Sequence, residues 1–280
     1  MISLPMLRAF PIIAVLLFAL PSAAQDSASS SRPLSSVLVD DGRIFLIDVG
    51  GFFVSPLHWG ASDWGLAAGA IGGTALTMTA DGWVHDRVSL PGDAGQRDDF
   101  WDIPTFYGTG AFVAGTSAVT YAAGLAFGND EVRVVGRLMI TSLATASITT
   151  EILKYAMGRS RPYTGESQWD FRWFEKGDDR HSFPSGHTTA AFAMSTVLAE
   201  SIDKPWARVA FYGMATLTGV ARVRNNQHWA SDVLGGALIG IASGFSALSQ
   251  ENSRKETGDH AGRLQFGVSY AGVAVTYRIL

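Results

Sequence analysis

The chain has 280 residues, of which 47% are hydrophobic and 16% charged, so it can bury a sizeable core in one large domain or two small ones. Its formal net charge of −4 gives no indication of nucleic-acid binding. The absence of cysteine excludes disulfides, thiolate catalysis and cysteine-based zinc or iron–sulfur sites.

Residues 1–24 have the pattern of a secretory signal peptide. Arg8 is their only charge, an apolar run covers 12–20, and small residues follow at 22–24, as they do before a cleavage site. The alternative is an uncleaved membrane anchor, for which the run is short. In both interpretations the chain enters a secretory route, and the lack of cysteine suits an oxidising compartment. We expect a cell-envelope protein on the periplasmic side.

Residues 25–59 form an N-terminal lead-in. The part up to Asp41 is polar and rich in serine, which indicates a flexible segment. The part from Ile44 to Trp59 is apolar and aromatic. Its periodicity does not distinguish a helix from a strand, and we expect a short helix.

The main domain is expected at residues 60–250, where apolar segments alternate with polar loops. The segments are rich in alanine, glycine, serine and threonine, which allow helices to pack closely, and none alternates as a strand does. We therefore expect an all-α fold, a bundle of about six helices. The six segments are 64–80, 103–127, 131–157, 188–202, 206–220 and 232–248, with an acidic loop at 81–102.

Residues 251–280 are expected to form a linker and a short C-terminal β-hairpin. Apolar and aromatic residues alternate over 264–270 and again over 273–279, on either side of Ala271-Gly272. This pattern is typical of two strands joined by a tight turn.

The fourth helix follows the sequence Pro184-Ser185-Gly186-His187. Ser185 and Gly186 then lie at a helix N-terminus, where free backbone N–H groups and the helix dipole favour an anion. A titratable histidine beside an anion site suggests acid–base chemistry on a phosphate. An ordinary helix cap with a surface histidine is the alternative for this stretch alone.

The third helix ends in basic residues. Lys154 and Arg161 are seven residues apart, about two helical turns, so both can face one side. A basic side chain at a helix C-terminus often only compensates the dipole, and we expect this surface role of Arg159. Lys154 follows an apolar turn and is the better candidate for binding an anion.

A third cluster lies after the fifth helix. Arg222 stands near the end of that helix, and His228 and Asp232 are four residues apart, so they can share one helical face. A carboxylate beside an imidazole fixes its tautomer and stabilises its charged form. A surface salt bridge is the alternative interpretation of this pair.

Chain connectivity is expected to bring the three clusters together. The fourth and fifth helices are each about 15 residues, roughly 22 Å, and three residues link them, so they should be antiparallel neighbours. His187 then lies beside Arg222, with His228 and the end of the third helix nearby. Cations gathered there would repel one another unless an anion is bound.

These clusters resemble the three-part signature of the type 2 phosphatidic acid phosphatase (PAP2) superfamily, which includes bacterial class A acid phosphatases and vanadium haloperoxidases. The resemblance covers about residues 60–250. The family often has serine before the arginine of the third motif, and here that position is Ala221, so one supporting hydrogen bond is lacking. The matching segments are Lys154-x6-Arg161-Pro162, Pro184-Ser185-Gly186-His187 and Arg222-x5-His228-x3-Asp232.

The resemblance also implies a role for each residue. His228 would be the nucleophile that forms a phosphohistidine, Asp232 would orient it, and His187 would be the general acid. No metal or other cofactor is implied, so we expect activity in EDTA, inhibition by vanadate and a bell-shaped pH profile. The phosphate-binding residues would be Lys154, Arg161, Ser185, Gly186 and Arg222.

The implied function is a metal-independent phosphatase that hydrolyses phosphomonoesters, with lipid phosphates such as phosphatidic acid as the expected substrates. The alternatives are a vanadium-dependent haloperoxidase, for which the chain is short, and a broad-specificity soluble periplasmic acid phosphatase. The expected partners are a phosphorylated lipid or small phosphoester and a membrane, without nucleic acid. Several apolar segments are shorter than the roughly 20 residues of a membrane span, so integral inner-membrane, peripheral and soluble periplasmic locations all stay open.

Overall fold

The computed structural model of the chain describes residues 32–89, 99–257, 266–269 and 272–275. The predicted signal peptide lies outside these ranges. Within them the chain is mostly helical, and its α-helices are α1 Leu34–Val54, α2 Ala61–Met78, α3 Asp81–Val88, α4 Asp99–Tyr107, α5 Gly110–Ala126, α6 Asp130–Met157, α7 Gly186–Ile202, α8 Pro205–Arg224 and α9 Ala230–Thr257.

The expected count of six helices is wrong, because nine α-helices lie in the described ranges. The segment expected as an acidic loop begins with α3, whose first residue, Asp81, is buried. The second apolar segment is split into α4 and α5. Its division has a local cause, since the Thr109 side chain accepts a hydrogen bond from the Phe112 N–H at 3.2 Å and so caps a new helix.

The flexible lead-in expected up to Asp41 is also wrong from Leu34 onward, where α1 begins. Buried ion pairs hold α1 on the bundle. Asp41 pairs with Arg133 of α6, and Asp48 accepts two hydrogen bonds from Arg254 of α9, at 2.6 and 2.9 Å. These are tertiary contacts, so the local composition of the lead-in could not reveal them.

The central helix of the bundle is α7, which packs against α6, α8 and α9. Of its 17 residues 13 are buried, so it is enclosed on every side. Glycines on α9 permit the closest approach: a Cβ on Gly240 would lie 2.5 Å from the Thr189 carbonyl oxygen, and one on Gly236 would lie 2.6 Å from the Ser185 carbonyl oxygen. The N-terminal turn of α7 is thereby pressed against the first turns of α9.

The antiparallel arrangement expected for α7 and α8 is confirmed. Glu200 near the end of α7 pairs with Arg208 near the start of α8 at 2.8 Å. At the opposite end, a Cβ on Gly219 would lie 3.6 Å from the Thr188 side chain. The start of α7 therefore faces the end of α8.

Within the described ranges, two helices, α6 and α9, are long and apolar enough to cross a membrane. About half of the apolar stretch of each is buried inside the protein, at 56% and 44%. A core helix of a soluble protein has the same length and composition, so these two helices alone do not decide between the three expected locations.

The C-terminal region contains two four-residue strands, β1 Phe266–Ser269 and β2 Gly272–Val275, which pair antiparallel. The hairpin expected over 264–279 is not supported at that length, because its remaining residues lie outside the described ranges.

Candidate active site

Four segments meet at one end of the bundle: the end of α6 with the loop after it, the start of α7, the end of α8 and the start of α9. The Ser185 N–H donates to the Asp232 carbonyl at 3.0 Å, and the His228 N–H donates to the Arg222 carbonyl at 3.3 Å. Lys154 Nζ is 3.3 Å from the position that a Cβ on Gly186 would occupy. The three predicted clusters therefore form one site.

His228 is held by a backbone carbonyl. Its Nδ1 lies 2.8 Å from the carbonyl oxygen of Ser182, which can only accept, so Nδ1 carries the ring proton. The nearest Asp232 oxygen is 3.6 Å from Nδ1, which is too far for a hydrogen bond. The Nε2 atom of the neutral ring consequently keeps its lone pair and is the atom able to attack.

Asp232 orients the ring of His228 indirectly, through Ser182. Its Oδ2 accepts from the Ser182 hydroxyl at 2.5 Å and from the Trp229 N–H at 2.9 Å, and its Oδ1 accepts from Arg159 at 2.6 Å. Ser182 thus bonds Asp232 through its hydroxyl and His228 through its carbonyl. Ser182 is a residue that the sequence patterns did not single out.

Both site histidines are neutral in the unliganded protein. Burial lowers the pKa of His187 to about 3, with further contributions from Arg222, His228, Lys154 and Arg161. Burial likewise lowers the pKa of His228 to about 4, although Asp232 acts in the opposite direction. The two imidazoles, one buried and one partly buried, therefore lie in a positively charged environment that favours an anion.

The three expected phosphate-binding cations differ in their partners. Lys154 contacts Glu151 at 3.2 Å, and Arg161 contacts Asp178 at 2.7 Å. Arg222 is 9% exposed, forms no ion pair in the part of the chain that the structure describes, and has an Nε without a hydrogen-bond partner there. Burial, followed by the nearby Arg161, lowers the pKa of Arg222 to about 10.

Gln227 joins two of these cations. Its side-chain oxygen lies 3.4 Å from Arg161 Nη1 and 3.5 Å from Arg222 Nη2. Arg161 is paired with Asp178, but the neutral amide leaves the charge of Arg222 without an ion pair among the described residues, which strengthens the case for an anion at this position.

Ser185 precedes the first residue of α7, and Gly186 is that residue. The Ser185 side chain is fully buried and makes no capping hydrogen bond, while its Oγ lies 2.9 Å from that of Thr188. The first backbone N–H groups of α7 are therefore not capped by this serine and can bind an anion. Beside them, between α5, α6 and α7, a cleft of about 170 Å³ reaches His187 and Glu151.

The surface role expected for Arg159 is wrong. Its side chain is fully buried, and its guanidinium donates to Asp232 Oδ1 at 2.6 Å and to Asp81 Oδ2 at 2.7 Å. Position at a helix end suggested dipole compensation, but the chain turns inward at Gly158, which has a left-handed φ of 57°. The partner Asp81 lies 78 residues away in sequence, so no local pattern links the two.

The aromatic segment between the first two motifs is partly packed and partly exposed. Phe171 lies under Arg159, with 5.3 Å from its ring to the guanidinium carbon. Trp169, Trp173 and Phe174 are each more than half exposed. Part of this segment thus packs against the site, and part of it is open to solvent.

Comparisons with known proteins agree with the motifs. The model of a family described as "PAP2 superfamily" matches residues 136–256, which contain all three motifs. The chain is 27% identical to a lipid A 1-phosphatase of Porphyromonas gingivalis over 85% of this chain and 49% of that protein. It is 26% identical to an undecaprenyl-diphosphatase of Sulfolobus acidocaldarius over 43% of this chain and 57% of that protein. The chain thus spans about half the length of the curated relatives it matches.

A solved structure has a similar fold. It is a transmembrane PAP2-type phosphatidylglycerolphosphate phosphatase from Bacillus subtilis, with a TM-score of 0.50 and 22% identity, covering 77% of this chain and 96% of that one. This likeness supports the helical architecture and the relative placement of the helices that carry the motifs.

Proposed function

We propose that the chain, whose residues 136–256 match the model of the PAP2 superfamily, is a metal-independent phosphatase that acts through a phosphohistidine at His228. One observation carries the proposal: two neutral histidines, His228 buried and His187 partly buried, lie among three cations at the uncapped start of α7. Such a site supplies positioning and charge neutralisation, which are the main requirements of phosphoryl transfer.

In the first step, the lone pair on Nε2 of His228 forms the N–P bond while the P–O bond to the leaving oxygen breaks. Nδ1 keeps its proton, since it donates to the Ser182 carbonyl at 2.8 Å, so the ring becomes positively charged. Asp232, 3.6 Å away, stabilises this charge. Water then attacks phosphorus, the N–P bond breaks, and phosphate leaves with His228 neutral again.

His187 supplies and recovers the proton. Its low pKa in the unliganded protein arises from burial and from the surrounding cations. A bound phosphate dianion offsets those cations, which raises the pKa of His187 and lets it hold a proton. The imidazolium then protonates the leaving oxygen in the first step, and the neutral ring accepts a proton from water in the second.

The phosphate would be bound by Arg222, Arg161, Lys154 and the first backbone N–H groups of α7. Arg222 is the strongest candidate, because it is buried without an ion-pair partner in the described residues. A phosphate oxygen would supply the missing acceptor for its Nε.

The substrates proposed are lipid phosphates. The two matched relatives act, by their names, on lipid A and on undecaprenyl diphosphate. Beside the cleft, Ile148, Ile152 and Tyr155 are exposed at 43%, 58% and 44% and share one face of α6 by their spacing. An acyl or isoprenyl chain lying along this stripe would bring its phosphate to Lys154 and His187. A periplasm-facing membrane association fits such substrates.

The activity is tested by phosphate release from the purified chain with lipid A 1-phosphate, phosphatidic acid, undecaprenyl diphosphate and p-nitrophenyl phosphate. We expect hydrolysis of at least one lipid substrate, unchanged by EDTA and abolished by His228→Ala. Loss of activity on chelation, or full activity of His228→Ala, contradicts the mechanism.

The substrate class is tested with Ile152→Asn against the control Val209→Asn, which changes a 75% exposed side chain on α8. Ile152→Asn should lower kcat/KM by about tenfold for long-chain lipid phosphates, an effect of one lost apolar contact, and leave p-nitrophenyl phosphate unchanged. An equal effect on both substrates argues against a chain lying on α6.

A further inference from the structure

Asp232 belongs to a cluster of buried charged side chains, Asp81, Arg159 and Asp232, that extends beyond the three motifs. Arg159 donates to Asp232 Oδ1 at 2.6 Å through Nη1 and to Asp81 Oδ2 at 2.7 Å through Nη2. All three side chains are fully buried. Asp81 is the first residue of α3, so the reacting end of the bundle is tied to a helix that lies outside the matched family region.

Ser231 completes the connection. Its backbone N–H donates to Asp81 Oδ1 at 2.9 Å, and its Oγ lies 2.7 Å from Arg159 Nη1 and also hydrogen-bonds Asp81. Ser231 adjoins Asp232 in the first turn of α9. Asp81 therefore holds both the backbone and, through Arg159, the carboxylate of the turn that contains Asp232.

The charges in this cluster do not cancel. Two carboxylates, Asp81 and Asp232, share one guanidinium, so the fully ionised cluster carries one net negative charge. Among the described residues, the only other basic group near Asp232 is His228, at 3.6 Å. The other ionisable groups facing His228 are Arg222 of α8, Arg161 of the loop after α6 and His187 of α7. The two arginines disfavour a positive charge on His228. The net negative charge of the Asp81–Arg159–Asp232 cluster acts in the opposite direction and favours it.

We propose that Asp81 is a positioning residue for the phosphatase reaction: through Arg159 and Ser231 it fixes Asp232 and keeps one uncompensated negative charge for the ring of His228. This inference rests on the proposed function. Its chemical consequence falls on the first step, in which the N–P bond forms and the ring of His228 becomes cationic. Asp81 touches neither His228 nor the phosphate site, so it acts on the chemistry and not on substrate binding.

The test compares Asp81→Asn with Glu251→Gln in the full-length protein, using whichever lipid phosphate the wild type hydrolyses fastest. Asparagine keeps the size of the side chain and can accept from the Ser231 N–H, but it removes the charge. Glu251→Gln removes the charge from another buried ion pair, with Arg137 at 2.7 Å, at the opposite end of α6 and α9. The control therefore matches the loss of a buried carboxylate without touching the cluster.

Asp81→Asn should lower kcat by about 10- to 100-fold, by analogy with groups that orient a metal-bound histidine, with KM unchanged within about twofold. The acid side of its kcat/KM profile should move to lower pH, because a lost negative charge disfavours protonation of His228. Glu251→Gln should leave kcat and the profile as in the wild type.

A folded Asp81→Asn with wild-type kcat and profile overturns the inference, and so does an equal loss in both variants without a movement of the profile. If Asp81→Asn does not fold, Ser231→Ala replaces it, since it loses the hydroxyl that bonds Asp81 and Arg159 but keeps every charge. A lower kcat at unchanged KM is then expected, and an unchanged kcat overturns the inference. An inactive wild type instead contradicts the proposed function, which keeps the two failures distinct.

Discussion

The nucleophile proposed here is oriented by a backbone carbonyl, and the carboxylate four residues further on acts through a serine. The spacing of His228 and Asp232 correctly indicated one site, but not through a shared helical face, because His228 lies two residues before the start of α9. It could not show that Ser182 stands between them, because that contact joins positions 46 residues apart. Arg159 was misjudged for the same reason: its burial depends on partners that are distant in sequence.

Arg222 presents a conflict between stability and function. A buried guanidinium without an ion pair destabilises the unliganded protein, so Arg222→Met should raise its free energy of unfolding by roughly 1–3 kcal/mol. The same change should lower kcat/KM by about 100-fold or more, because a preorganised cation at the phosphate is lost. Urea unfolding and phosphate release measure the two effects. Arg208→Met removes an exposed arginine that has an ion pair, and this control should change neither the unfolding free energy nor kcat/KM. If Arg222→Met is instead destabilised, the charge of Arg222 is satisfied without phosphate.

The low pKa of His228 makes the stability of the unliganded protein depend on pH. An unfolded histidine takes up a proton below about pH 6.5, whereas folded His228, with a pKa of about 4, does not. Stability should therefore be lost as pH falls through 6.5. From pH 7 to 5 the wild type should lose about 2 kcal/mol more than His228→Asn, which cannot titrate.

Thermal or urea unfolding of both proteins across this pH range provides the measurement. Saturating vanadate should reduce the difference, because a bound anion favours the protonated ring. The same pH dependence in wild type and His228→Asn would mean that His228 is charged or exposed in the folded protein.

At the level of elements, periodicity predicted α2, the second half of α1 and the four helices that carry the motifs, but it missed α3 and the first half of α1. The helices α6, α7, α8 and α9 start and end within a few residues of the predicted segments, except that α9 runs on to Thr257. Each has a long apolar pattern and a clear end, such as Gly158 in the left-handed conformation after α6. Both α1 and α3 carry buried carboxylates, Asp41 and Asp48 on α1 and Asp81 on α3, whose basic partners are distant in sequence, and local patterns do not contain such contacts.

Asp48 should be the main attachment point of α1. Its side chain is fully buried and accepts from Arg254 at 2.6 and 2.9 Å, so Asp48→Asn should cost about 3–5 kcal/mol of unfolding free energy. The loss should also make α1 an early target in limited proteolysis. Asp40→Asn on the same helix changes an exposed pair with Arg32 at 3.5 Å and should stay within about 0.5 kcal/mol. Equal protease resistance of both variants would mean that other contacts hold α1.

At the scale of the whole molecule, the residues of the three motifs lie at one end of the bundle. The ion pairs that attach α1, which include Arg137, Asp48 and Arg254, lie at the other end. Lys154 lies 17 residues beyond Arg137 on α6, about 25 Å along the helix axis, so the network that attaches α1 is remote from the phosphate site. The all-α class, the antiparallel α7–α8 pair and the single site followed from the sequence. The number of helices did not, because α1 and α3 depend on tertiary contacts and the helix cap at Thr109, which divides α4 from α5, was not recognised.

The most direct test of the central claim is the identity of the phosphorylated residue. Purified protein is mixed with a ³²P-labelled lipid phosphate, quenched in alkali, in which phosphohistidine is stable, and digested for mass spectrometry. We predict label on His228 in the wild type and none in His228→Asn, with label accumulating in any variant in which water attack is slowed. Label on another residue, or turnover by folded His228→Asn at the wild-type rate, would contradict the account.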